Sequence, residues 1–517
     1  MGAARDAFCS IYKKREQSNL VSNILEQLDF HPLSITLLAT VAHQSRWDTD
    51  RLTREWERQR TDMLQTEHDK SLTTTIELSL TSPLFRDLGP DARALLGVVA
   101  FFPQGVNENN LDWLFPTVLN RTSVFDKFCI LSLTYRSNGF VTMLAPLREY
   151  LRPKDPKSSP LLCMAKEHYF VRMSVDPNPN EHGFGETRWI TSEDVNVEYL
   201  LDIFTSVDGD SDNVWEACAN FMNHLNWHKQ RLTVLGPKIE GLPDDQPSKP
   251  DCLLELSLLF NSVGNRVERK RLLTHALKLW RERGSDPHVA RALRHLSSTN
   301  RLMDLHEEGT RQAREALEIC ERLGDTVEQA WCLVDLARLL GGDQEFHAAE
   351  EAASRAVDLL PEKGQQFLVC ECHRVLGNIY RSMDKTERAI HHYEVAHGIA
   401  SSFNWHDQLF SVHYSLAGMF LDEGRFDSAQ AHVEQAKLHM VDNPYYLGYA
   451  TELQAELWYK HHRLDYARSE ARRAADIYEK LGAEDDIEDC KELLRNIQKE
   501  MNFQAASGQS GPNCEFL

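Results

Sequence analysis

Leu376-Gly377-Asn378-Ile379-Tyr380, followed by Ala389, Tyr393 and Ala396, is the stretch whose reading decides the fold. A leucine beside a residue with no side chain, an aromatic one turn on, and then small and aromatic residues at helical spacing describe two helices packed closely against each other. Working outward, the final alanine belongs to a register: Ala276, Ala316, Ala356, Ala396, Ala436 and Ala474 are separated by steps of 40, 40, 40, 40 and 38 residues. Twenty positions before the first five stand Leu256, Leu296, Leu336, Leu376 and Leu416, each followed by a small residue: Ser257, Ser297, Ala337, Gly377 and Ala417. A two-helix unit of this size cannot bury its apolar faces alone, so neighbouring units stack into an α-solenoid.

The spacing of Leu376, Gly377, Tyr380, Ala389, Tyr393 and Ala396 resembles the tetratricopeptide (TPR) pattern, and the preceding unit adds Leu336, Ala337, Leu340, Ala349, Ala356 and a terminal Pro361. Forty residues exceed the usual ~34 of that repeat, which predicts longer helices or longer turns. Units are expected near 250–283, 287–324, 326–362, 365–402, 406–441 and 444–482, together a six-repeat domain over 250–483. Ile487, Leu493, Leu494 and Ile497 then place a capping helix over 484–502, and a tail rich in Gly, Ser and Gln follows over 503–517.

Composition bounds the alternatives. A chain of 517 residues exceeds one compact core and calls for at least two folded parts. It has no run of eighteen apolar residues and no apolar signal region at its start, so a cytoplasmic protein is expected. Eleven cysteines without a C-x-x-C pair argue against a disulfide framework or zinc ribbon. A net charge of -21 disfavours nucleic acid and anionic membranes as partners. Cys514-Glu515-Phe516-Leu517 has the C-a-a-X form, with Leu517 pointing to geranylgeranylation of Cys514. Glu515 is not aliphatic and no basic run supports an anchor, so membrane attachment is not expected. His391-His392, His397 and His461-His462 lack a third ligand at metal spacing and read as solvated helix faces; no metal is expected.

The first half reads as a helical subdomain over 1–71, a winged-helix-like domain with a small β-hairpin over 72–151, and a helical adaptor over 152–249. Leu20, Ile24 and Leu28, then Leu33, Ile35, Leu37, Leu38 and Val41, carry helical apolar spacing around a break at Pro32. Helices are expected near Pro90–Ala100, Glu108–Phe115 capped by Asn107, and Ser123–Leu131. Leu133–Arg136 and Phe140–Leu144 form a hairpin about Asn138-Gly139, a pair suited to the positive φ of a tight turn. In the adaptor, Trp189-Ile190 followed by Ser192-Glu193-Asp194 and Val195, Val197, Leu200 and Leu201 reads as a capped amphipathic helix, and Trp215–Leu225 reads as a further helix.

This order of parts resembles the C-terminal portion of a fungal NB-ARC protein, of the STAND class of signalling NTPases. Leu28-Asp29-Phe30-His31-Pro32-Leu33-Ser34 is similar to that family's Gly-Leu-Pro-Leu-Ala helix start, and Met143 to Tyr150 to the end of its winged helix. The resemblance implies an adenine contact for Pro32, although Phe30 replaces the glycine. Met143-Leu144-Ala145 stands where some relatives carry Met-His-Asp, so the phosphate-touching histidine is missing. No Gly-Lys pair occurs in the chain, hence no P-loop, and the family's nucleotide-binding core would precede residue 1. A non-enzymatic sensor or adaptor is therefore expected, with no cofactor. ADP or ATP enters only through the alternative, a STAND nucleotide switch whose core is supplied in trans.

Counting the groove positions 2, 5, 9 and 12 of the TPR pattern yields Arg291, Arg294, Arg301, Arg338, Arg374, Asn378 and Arg381, with Tyr414, Tyr449 and Tyr459 further on. The expectation is a basic groove for a protein or acidic peptide partner, in which arginines hold carboxylates bidentately. The competing expectation is that these arginines pair with acids of the adjoining unit. Homo-oligomerisation is left open by the sequence.

Overall fold

A computed structural model describes residues 2–13, 19–28, 30, 35, 38–39, 42–43, 46–59, 80, 83–131, 133–175, 177, 189–207, 211–228, 231–261, 263–361, 364–439 and 444–507. Two compact units are present, one of residues 1–174 and 192–203, the other of 175–191 and 204–517. Pro32, Leu33, Leu37, Val41, residues 72–79 and Cys514 fall outside the described residues.

In the first unit, α1 (Gly2–Tyr12), α2 (Asn19–Gln27) and α3 (Thr49–Gln59) surround a core that includes Phe8, Tyr12, Ile24, Leu28, Ile35, Leu38, Leu52 and Trp56. The Trp56 indole N–H donates to Gln27 Oε1 at 2.8 Å and the Tyr12 hydroxyl to the Trp47 carbonyl at 2.6 Å, so both large aromatics bury their rings without orphaning a donor. Leu20, expected on the apolar face, is exposed.

Further along this unit come α4 (Pro83–Arg86), α5 (Ala92–Phe101), β1 (Val106–Asn107), α6 (Leu111–Leu114), α7 (Arg121–Ile130), β2 (Tyr135–Ser137), β3 (Phe140–Thr142), α8 (Ala145–Leu151) and α9 (Pro160–Met173). The strands form an antiparallel sheet in the order β1-β3-β2. Asn138 and Gly139 turn the hairpin with φ of 51° and 81°. The Asn107 side chain accepts from the Asn109 N–H and caps a short 3-10 turn ahead of α6. Arg136 ties the hairpin to Glu108 and Asp126, both at 2.5 Å, and Arg121 is paired with Asp112 at 2.6 Å.

The helix read over Trp189-Ile190, Ser192-Glu193-Asp194 and the apolar residues to Leu201 is α10 (Ile190–Val207). Its acidic stretch is no cap, because Glu193, Asp194 and Asn196 are buried. Glu193 accepts from Asn110 Nδ2 at 2.5 Å, the Tyr169 hydroxyl at 3.1 Å and Asn196 Nδ2 at 3.0 Å, while Asn196 also bonds the Gly105 carbonyl and the Gln104 N–H. These bonds place residues 192–203 in the first unit, so the stretch read as one adaptor over 152–249 is divided between the two units.

The second unit holds α11 (Asp212–His228), α12 (Gly236–Glu240) and six antiparallel helical hairpins, an α-solenoid of TPR type. The hairpins are α13/α14 (Lys249–Asn261, Arg266–Arg283), α15/α16 (Asp286–Leu302, His306–Leu323), α17/α18 (Thr326–Gly342, Phe346–Leu359), α19/α20 (Gln366–Ser382, Thr386–Phe403), α21/α22 (His406–Asp422, Phe426–Leu438) and α23/α24 (Pro444–Lys460, Leu464–Leu481); α25 (Glu484–Ser507) covers the last. The six register alanines are at most 1% exposed. The added length lies in the helices: α19 and α20 have 17 and 18 residues.

Turn geometry explains the fixed period. Gly264, Asp304, Gln344, Asp384, Gly424 and His462 adopt positive φ between the helices of the six hairpins, and Gly284, Gly324, Gly364, Asn404 and Gly482 do so between one hairpin and the next helix. A left-handed residue there lets the last carbonyls of a helix be satisfied while the chain reverses. The small residue after the register leucine serves a ring as much as a backbone: a Cβ on Gly377 would lie 2.5 Å from Tyr393 Cε1, the tyrosine of the same hairpin's second helix.

Candidate binding cavity of the repeat array

The first helices of the hairpins line the inside of the second unit, and a cavity of about 730 Å³ opens among them. Its wall draws on α15 and the N-terminal halves of α17, α19, α21 and α23, completed by α11, α13 and the start of α14. Arg266, Arg269, Arg291 and Arg294 lie along one part; Trp331, Phe367, Tyr445, Tyr446 and Tyr449 supply rings; Asp407 and Gln408 add polar groups from α21. Charged groups, amides and rings share its lining, and a cavity of this size suits a ligand of peptide-fragment or small-molecule size.

Of the residues expected in the groove, Arg291, Arg294 and Tyr449 line this cavity. The others sit elsewhere on the array. Arg301, Arg338 and Arg374 are desolvated on the first helices, and Arg381 joins α19 to Asp422 of the next hairpin through Nε at 2.8 Å. Asn378 accepts from the Tyr393 hydroxyl at 2.6 Å. Tyr414 stacks on Phe410 and meets Tyr449 edge-on, with ring centroids 6.0 Å apart in each case. Tyr459 packs into the core between α24 and α25 with Leu464, Ala471 and Ile497, away from the cavity.

The expectation of a simply basic wall is corrected by an ion-pair ladder from hairpin to hairpin. Arg291 reaches Glu255 at 2.8 Å, Arg294 reaches Glu328 at 2.6 Å, and Arg338 bonds both Asp335, at 2.9 Å, and Glu371, which Arg374 also holds at 2.7 Å. Glu255, Asp335 and Glu371 are buried, as an acid must be paired to be. Burial works against the Arg294 charge, but Glu328 and Asp335 outweigh it and lift that guanidinium above its ordinary range. The opposite balance holds at Arg338, which burial brings down to about 10. Arg294 additionally lies over the Trp331 ring, 5.3 Å from its centroid.

Arg269 and Asp407 were missed by the motif count. Arg269 belongs to a second helix, where the groove positions are not counted, and Asp407 opens α21 ahead of the apolar run. Arg266 carries another signal no spacing displays. Its guanidinium pairs with Asp486 at 3.0 Å and Asp485 at 3.3 Å, linking the first hairpin to α25 across 220 positions of sequence. Tyr445 donates to the same Asp486 at 2.6 Å, and Gly264 abuts Tyr445 and Ala483 so closely that a Cβ would come within 2.9 Å of both.

Of the histidines read as solvated faces, His391, His461 and His462 are exposed, whereas His392 and His397 are half-buried. His373 and His392 approach Nδ1 to Nδ1 at 2.9 Å, and His413 and His432, each forty residues later, do so at 3.1 Å. Burial, with neighbouring histidines adding to it, brings His392 and His413 down to about 4. Among the described residues no group of three or more side chains is arranged to hold a metal ion. No described helix is long and apolar enough to cross a membrane.

No protein-family model matches the chain, and no curated protein matches it. Solved structures do. A STAND (signal transduction ATPase with numerous domains) protein with a tetratricopeptide repeat sensor from Pyrococcus horikoshii matches at 12% identity and a TM-score of 0.47, covering 91% of this chain and 72% of that one. A Rap protein complexed with competence and sporulation factor matches at 13% identity and 0.43, covering 65% and 99%. Aspartyl phosphate phosphatase F from Bacillus subtilis matches at 13% identity and 0.37, covering 68% and 97%. At these values the likeness carries no statement about activity.

Proposed function

We propose that this chain is a peptide- or protein-binding sensor, the ligand-receiving part of a STAND-type signalling regulator, with the cavity of the repeat array as its receptor site. One observation carries the reading: the first helices α15, α17, α19 and α23 bring Arg291, Arg294 and the rings of Trp331, Phe367, Tyr445, Tyr446 and Tyr449 to a single cavity, a combination that grips an extended chain through both its charges and its apolar side chains. The helical and winged-helix-like parts of the first unit would relay occupancy, as the resemblance to NB-ARC proteins implies, and the chain itself performs no hydrolysis. In the alternative, a nucleotide switch completed by a core in trans, ADP or ATP would be the cofactor.

A photo-crosslinking side chain at Trp331, inside the cavity, tests this against one at the exposed Leu323. Adducts to a polypeptide from position 331 and none from 323 are the expected result; equal labelling at both, or none at 331, refutes the reading. Measurable ADP or ATP affinity of the purified chain would favour the alternative.

A further inference from the structure

Two residues that line the cavity, Arg269 and Asp407, carry opposite charges, and neither has an ion-pair partner among the described residues. Arg269 is 5% exposed and lines the wall, yet among the described residues its one side-chain partner is Asn261 Oδ1 at 2.6 Å, and its buried Nε has no acceptor. Among the described residues no carboxylate lies within ion-pair distance of it. Burial brings this guanidinium down to about 10, and Arg294 and Arg301 push in the same direction against the single opposing field of Asp335. The carboxylates of the ladder are already committed to other arginines. Such a buried, under-satisfied donor is costly unless an acceptor arrives.

Asp407 is the complement. It lines the same cavity from the first turn of α21, and among the described residues no cation offsets its desolvation, which brings it up to about 6. Trp331, Phe367 and Tyr446 also face the cavity, with Trp331 and Phe367 in ring contact at 6.5 Å.

We infer that the cavity takes a short peptide with both ends free, its terminal carboxylate on Arg269, its terminal ammonium on Asp407, and its side chains among Trp331, Phe367 and Tyr446. The inference rests on the sensor reading and narrows the partner to a released oligopeptide, as opposed to an internal segment of a folded protein. A carboxylate could equally come from an acidic side chain and an ammonium from a lysine, so the test separates the sources.

The full chain is offered a library of pentapeptides with free termini, and the selected sequences are measured again as N-acetylated and as C-amidated copies. Each cap should weaken binding at least tenfold. Asp407→Asn should weaken the free peptide similarly and leave the acetylated copy unaffected, and Arg269→Gln should do the same for the amidated copy. Because the second substitution touches a buried side chain, the amidated peptide on the unaltered protein is the decisive measurement for that end. Capped copies that bind as well as free ones overturn the assignment of the ends while the sensor reading stands. Failure to select any peptide, with adducts still forming at position 331, likewise refutes the inference alone. No selected peptide and no adducts refute both.

Discussion

Arg338 shows what a single side chain can disclose and what it cannot. Its place on the inner face follows from counting along the repeat, and it does lie among desolvated inner-wall groups. Its partners do not follow, because Glu371 sits 33 residues on, in a helix whose rotation about its own axis no spacing states. Arg291, Arg294 and Arg381 meet their acids at separations of 36, 34 and 41, so the ladder has no fixed period to detect. The arginines are thus partly structural. Arg338→Met should leave Asp335 and Glu371 short of a counter-charge and lower the unfolding free energy by about 3 kcal/mol, read from a denaturant midpoint. A change below about 0.5 kcal/mol would mean that Arg374 and Arg294 suffice to hold both acids.

At the scale of elements, the hairpins were legible because leucine, alanine and turn residues repeat together, and Asn138-Gly139 declared its turn. α10 misled because Ser192-Glu193-Asp194 has the composition of a cap, whereas Glu193 serves a buried network assembled from residues some ninety positions away. The paired histidines join the two helices within α19/α20 and within α21/α22. His392 also faces Tyr380, His391, Glu350 and Arg388, and His413 faces His397 and His439. Their folded values lie below the ordinary value near 6.5, so the unfolded chain takes up protons first as pH falls. Stability from these pairs is complete above about 6.5 and is lost toward 4. Glu452, brought up to about 7 by burial, runs the other way, gaining stability on acidification. The two are separated by comparison: the melting temperature of His392→Gln/His432→Gln should fall less between pH 7.5 and 5 than that of the parent, and parallel profiles would contradict the assignment.

On the scale of the molecule, the array was legible as a row and not as a row whose ends meet. The rotation added by each hairpin accumulates through packing details, and only after six does it return Gly264 to Tyr445 and Ala483. Gly264→Val combines a β-branched side chain at φ 72° with a collision against Tyr445. It should cost about 3 kcal/mol and raise hydrogen exchange in both α13 and α25, residues far apart in the chain. Faster exchange confined to α13 would show that the ends are not coupled.

An open stack has two borders at which it can fray, and severing it anywhere yields pieces that share one interface. Joined through Arg266 and Asp486, this array behaves as a hoop. A protease cutting once near Pro361 would leave each fragment seated against the other along two edges, so scission alone would not release them.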